Sequence, residues 1–136
     1  MQKKIIRILA HIKNQESCKP YFIKMKILTL PCLYIYDISI FVFKNKEKFL
    51  QTKDTHSINT RNKNKLYLPP SRIKMLNESP HYMAVKIFNN LPTNITSETN
   101  IKVFCKSLKH YLLDKCFYSI KEFMNLKIAQ KYDVLI

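Results

Sequence analysis

A chain of 136 residues with 46% hydrophobic content has enough apolar side chain for one folded domain, which excludes disorder along its whole length. The net charge of +15, from 24 basic and 9 acidic residues, favours a polyanionic partner, nucleic acid before an anionic membrane surface. AT-rich coding, visible in the many Ile, Lys, Asn, Phe and Tyr, also raises lysine, so charge alone does not decide. The absence of glycine excludes a P-loop, a GxGxxG dinucleotide turn and a GxSxG nucleophile elbow.

In KKIIRILAHIK, residues 3–13, Ile5, Ile8, Leu9 and Ile12 share one helical face, with Lys4, Arg7 and His11 opposite. This spacing predicts an amphipathic basic helix packed against the rest of the domain; a surface-binding helix is the alternative. A short helix over PYFIKMKI follows, with Ser17 near its start and Pro20 in its first turn. ILTLPCLYIYDISIFVF, residues 27–43, is shorter than the roughly twenty apolar residues of a membrane span. It also carries Asp37 near its middle, where a bilayer would exact about 3 kcal/mol. Thr29 can cap a helix here and Pro31 suits its first turn. Because that helix is apolar nearly all round, it is expected at the centre of a soluble fold, with no membrane span.

Residues 44–78 turn polar and basic, with Leu66, Tyr67 and Leu68 as a short extended piece before Pro69-Pro70. Ser79-Pro80 then reads as an N-cap and first-turn proline. Behind it Ala84, Ile87, Phe88 and Leu91 align on one face, and Asn89-Asn90 is the expected left-handed C-cap in a chain without glycine. The longest helix is predicted over 98–115, with Ile101, Phe104, Cys105, Leu108, Tyr111 and Leu112 inside and Lys102, Lys106 and Lys109 outside. Ser119-Ile-Lys-Glu122 is a capping box opening a final helix. The class is all-α: a small orthogonal helical domain of about five helices with one long basic irregular loop. It forms a single module over 1–128, with the loop at about 44–78 and a tail at 129–136.

The four cysteines form no CxxC and the four histidines no HxxxH. On one helix Cys105 and His110 stand about 140° apart, so they do not converge on a metal. No metal or other cofactor is implied. The acids are scattered singly, without the local pairs that two-metal phosphoryl transfer uses, so catalysis by this chain alone is not expected. The charged N-terminal segment is unlike a signal peptide, and the cysteines read as reduced thiols of an intracellular protein, nuclear or cytoplasmic.

Several stretches in order carry a resemblance: QKKIIRIL, LTLPCLYIYDISIFVFKN, HSINTRNKNKLYLPPSR, SPHYMAVKIFNNLP and FCKSLKHYLLDKCFYSIKEFMN. Together they resemble the C-terminal region of the reverse transcriptase (RNA-directed DNA polymerase) polyprotein of jockey-like non-LTR retrotransposons of arthropods. The more specific parts are Thr60-Arg61 after His56, Ser79-Pro80-x-Tyr82 running on to Asn90-Leu91-Pro92, and Phe117-Tyr118-Ser119 before Glu122-Phe123. The resemblance implies a region beyond the polymerase core, without the palm aspartates or the endonuclease residues, whose partners are the upstream core and template RNA or target DNA. Ala84, where the family usually has glycine after the SPxY segment, and Asp37, where it more often has Glu, fit a diverged copy.

Two functions follow. As a nucleic-acid-binding appendage, the chain would use Asn59, Arg61, Lys63, Lys65 and Arg72 as phosphate donors and Tyr67 as a stacking face. As a purely structural support for the polymerase core, it would carry incidental charge and leave the Ile5/Leu9/Ile12 face or the 101–112 face exposed. A membrane-surface function would rest on the first helix and the charge. Asp37 is expected to be partly buried and paired with Arg61 or Arg72, pinning the loop across the central helix.

Overall fold

The computed structural model describes residues 1–55, 57–58 and 61–133, with side chains as far as Leu126. The described residues are all-α and form nine helices: α1 (Gln2–Ala10), α2 (Lys19–Lys24), α3 (Leu30–Lys44), α4 (Thr52–Thr55), α5 (Lys74–Asn77), α6 (Pro80–Asn90), α7 (Thr93–Thr96), α8 (Ile101–Lys115) and α9 (Ile120–Asp133). Where the sequence suggests one module, the chain divides into two compact units. One comprises residues 1–36 and the C-terminal part from Cys105, the other residues 37–104, and the division falls within α3 and α8. The expected tail at 129 is instead helical through Asp133.

In the first unit, Ile6 of α1 packs with Cys18, Phe22 and Cys116, and Ile12, Tyr21, Met25, Ile27 and Tyr118 surround them. This rotates α1 away from its expected setting. Ile6 is 2% exposed, whereas Ile5, Ile8 and Leu9 are 51%, 71% and 59% exposed. The reason lies in the neighbours of the inward side. Gln2 donates to the Leu28 carbonyl at 2.9 Å and accepts from the Leu30 N–H at 3.0 Å, and the Lys3 ammonium sits 3.7 Å from the centre of the Tyr118 ring. These directional interactions set the rotation that hydrophobic spacing alone leaves open.

Thr29 is buried before α3, with its Oγ donating to the Phe117 carbonyl and accepting from the Cys32 N–H at 3.4 Å. Ser119 accepts the Glu122 N–H at 3.1 Å, and Glu122 accepts the Tyr118 N–H at 2.8 Å, so the capping box opens α9. Among the described residues the left-handed backbone positions fall on His11, Lys26 and Cys116. The asparagines expected to take that role do not. α6 runs through Asn90 and ends at Leu91 in an extended conformation (φ −65°, ψ 153°), because Pro92 disfavours helical geometry at the residue before it.

In the second unit, Ala84, Ile87, Phe88 and Leu91 are buried as their spacing predicts, joined by Val42, Phe49, Ile95 and Phe104. Phe104 stacks on Phe43 at 4.3 Å, and Ser79 caps α6 by accepting the Tyr82 N–H at 3.3 Å. The inner and outer faces of α8 match expectation: Phe104, Leu108 and Leu112 are buried, and Lys102, Lys106 and Lys109 exposed. α3 departs from it. Cys32, Ile35, Ser39 and Val42 are buried, while Leu30, Leu33, Tyr34 and Phe41 remain exposed. With 15 residues α3 is about 22 Å long. Among the described residues no helix is long and apolar enough to cross a membrane.

Candidate nucleic-acid interface

The basic segment after α3 is more ordered than a run of lysine and asparagine suggests. Gln51 and Leu66 form an antiparallel bridge, and the Tyr67 N–H donates to the Leu50 carbonyl at 2.7 Å. The Thr52 N–H donates to the Lys65 carbonyl at 2.9 Å and the Lys53 N–H to the Lys63 carbonyl at 3.1 Å. The chain therefore leaves at Gln51, turns, and returns through residues 61–66 alongside its own start. This brings the backbone of Lys53 beside those of Lys63 and Lys65, and Lys53 is a basic residue that the sequence pattern does not single out.

Arg61, Lys63, Lys65 and Arg72 are exposed, and Tyr67 is half-buried. None of these four cations enters an ion pair among the described residues. The one acid between Lys53 and Arg72 is Asp54, whose carboxylate already accepts the Gln51 N–H at 3.0 Å. Asn59 lies outside the described residues, as do His56 and Thr60. Asp37 is exposed rather than partly buried, and no ion pair among the described residues joins it to Arg61 or Arg72. Its place on α3 is the solvent side, where water solvates a carboxylate without help from a guanidinium.

What pins the loop is an amide. Asn89 of α6 accepts the Leu66 N–H at 3.0 Å and donates to the Leu66 carbonyl at 2.8 Å. The Tyr82 hydroxyl, donating to the Pro69 carbonyl at 3.2 Å, holds the exit of the segment in the same way. Lys46, by contrast, is not available to a ligand. Its ammonium lies 4.4 Å from the Phe43 ring centre and 5.7 Å from that of Phe88, and burial lowers its pKa.

The first unit holds a second basic feature, a cleft of about 730 Å³ lined by Ile23, Lys26, Lys106, Lys109, His110 and Leu113 among others. Lys106 and Lys109 are one helical turn apart on the outer face of α8, a row legible in the sequence. Lys26 joins them from the turn after α2, where its left-handed backbone (φ 54°) re-aims the chain; no sequence signal announces that meeting. Asp114, also on the cleft wall, lies 3.8 Å from Lys115.

Chemically, both features offer ammonium or guanidinium donors in solvent, suited to phosphate oxygens and indifferent to base identity. The cleft wall also carries the His110 imidazole. Burial pushes the Cys32 and Cys116 thiols upward in pKa, away from the thiolate form. Among the described residues no three His, Cys, Asp or Glu side chains gather as a metal site.

No protein-family model matches the chain, and no solved structure matches it. Similarity extends to the rhoptry surface protein CERLI1 of Plasmodium falciparum (isolate 3D7), 29% identical over 125 residues, covering 84% of this chain and 28% of that protein. The chain thus spans little more than a quarter of that relative's length.

Proposed function

We propose that the chain is an accessory nucleic-acid-binding module that grips RNA or DNA through phosphates without reading sequence. In this reading it is the C-terminal region of an RNA-directed DNA polymerase of the jockey-like non-LTR class, acting in the nucleus or cytoplasm beside an upstream polymerase core that carries the chemistry. The observation that supports it best is the tied basic return at 51–66. There Lys53, Arg61, Lys63 and Lys65 project into solvent with no acid pairing them among the described residues. A segment held at both ends loses less conformational freedom on binding than a free lysine tail.

The test is fluorescence anisotropy of a labelled single-stranded RNA with the full chain, across about 50–300 mM salt. Binding that weakens steeply with salt, and weakens less steeply in an Arg61→Ala/Lys63→Ala/Lys65→Ala variant, is the expected result. No binding at low salt would overturn the reading.

A second reading has one observation behind it. Leu30, Leu33 and Tyr34 form an exposed apolar stripe at the start of α3, which suits a module that supports a polymerase core through packing and touches no nucleic acid. Absence of RNA binding even at low salt would favour it.

A further inference from the structure

The rotation of α1 leaves an apolar band in solvent: Ile5, Ile8 and Leu9 along the helix, with Met1 ahead of them, all more than half exposed. At 100° per residue these side chains span roughly one third of the circumference. Lys4 and His11 occupy the adjoining exposed sector, with the half-buried Arg7 behind them, and Ile6, across the helix from Lys4, anchors it in the core of the first unit. Ile8 and Ile12 meet Lys4, Arg7 and His11 again along a shallow groove beside the helix. No acidic residue occurs before Glu16. Arg7, whose Nε is enclosed without a hydrogen-bond partner among the described residues, has no counter-ion among the ion pairs found there.

We propose that α1 is an in-plane docking helix for an anionic bilayer surface, a role independent of phosphate binding by the 51–66 segment. The occupant must provide an apolar sink for branched side chains and, a few ångströms away, negative charge for a parallel basic band. A bilayer with anionic headgroups provides both at the right relative depth, with Ile5, Ile8 and Leu9 entering the acyl boundary and the exposed Lys4 at the phosphates. Nucleic acid supplies the charge without the sink. A second copy of the chain supplies the sink but sets its own basic band, and a net charge of +15, against the first. The helix lies on the surface and does not span.

The full chain is mixed with vesicles of phosphatidylcholine alone or with about one third phosphatidylserine, and sedimented. The expected result is partition onto the phosphatidylserine vesicles only, reduced about tenfold or more in Ile8→Glu/Leu9→Glu and several-fold in Lys4→Glu. The Arg61→Ala/Lys63→Ala/Lys65→Ala variant should bind within about twofold of the parent, because its charges are not at the bilayer. The chain contains no tryptophan, so Leu9→Trp gives a single reporter whose emission shifts to the blue when it enters the acyl boundary. That reporter covers the case in which the glutamate variant fails to keep its helicity by circular dichroism. No partition, no blue shift, or an equal loss in the loop variant would overturn the proposal. So would a concentration-dependent dimer abolished by Ile8→Glu/Leu9→Glu, since it would assign the face to a second copy.

Discussion

The side-chain amide of Asn89 holds the backbone of Leu66 from both sides, Nδ2 on its carbonyl at 2.8 Å and Oδ1 on its N–H at 3.0 Å. In effect Asn89 completes for Leu66 the hydrogen-bonding edge that a neighbouring strand would offer. Leu66 is itself buried, so water is a poor substitute for either bond. A single amide on a well-packed helix therefore sets where the basic return ends and ties it to α6 within the second unit.

Asn89→Ala removes two hydrogen bonds and leaves a buried N–H and carbonyl unsatisfied, and it should lower stability by about 2 kcal/mol. Asn89→Asp keeps the acceptor and loses the donor, so it should fall between the two. Urea denaturation measures the loss. Limited proteolysis should show earlier cleavage between residues 53 and 65 in the alanine variant, and an unchanged cleavage pattern would show that the bridge at Gln51 holds the segment unaided.

For RNA, removing one cation that neutralises a phosphate flattens the dependence of log affinity on log salt by about 0.7 for a single strand. If Arg61, Lys63 and Lys65 each meet a phosphate, their joint replacement should reduce the slope by about 2. Lys106→Ala/Lys109→Ala, in the cleft of the first unit, measures whether that feature binds phosphates of its own. Lys46→Ala should leave the slope unchanged, since that ammonium is committed to the Phe43 and Phe88 rings, and should instead cost stability.

Most of the helices are legible in the sequence because their signals are local. The Ser79-Pro80 start, the Ser119/Glu122 box and the 3.6-residue spacing of Ala84, Ile87, Phe88 and Leu91 each sit within one or two turns. Which side of a helix faces inward is less legible. For α1 the decision comes from Gln2 and Lys3 meeting Leu28, Leu30 and Tyr118, residues at least 26 positions away in the case of the Gln2–Leu28 bond. For α3 the apolar circumference carries no preference at all. The candidate site divides in the same way. The basic character of 61–65 is plain in the sequence, but Lys53 and Lys26 join their clusters only through chain reversals that a lysine- and asparagine-rich segment does not encode in its hydrophobic pattern.

Asp37 offers a test of the solvent-facing placement of that side of α3. An exposed carboxylate with no ion pair among the described residues contributes little, so Asp37→Asn should change stability by no more than about 0.5 kcal/mol. A loss of several kcal/mol on thermal or urea unfolding would instead reveal a buried, paired charge and contradict the exposure found for it.

Glu122 links pH to the start of α9. Its carboxylate accepts the Tyr118 N–H at 2.8 Å and lies 3.3 Å from the Lys19 ammonium, and these interactions, the backbone bond first, hold its pKa below the ordinary 4.5. A carboxyl depressed in the folded state stabilises it while ionised. That contribution is complete above the unfolded value and fades as pH falls through the lower folded one. Glu122→Gln should therefore be less stable than the parent at pH 7, and the gap should close as acid protonates the parent's carboxyl below about pH 4. Because the Lys19 and Glu122 side chains are each 39% exposed, solvent already screens their attraction, and raising the salt should trim the gap only slightly if the backbone bond dominates. Unfolding curves of the two proteins at matched pH values decide the matter: a gap that persists unchanged into acid would mean that the glutamate acts through packing and not through its charge.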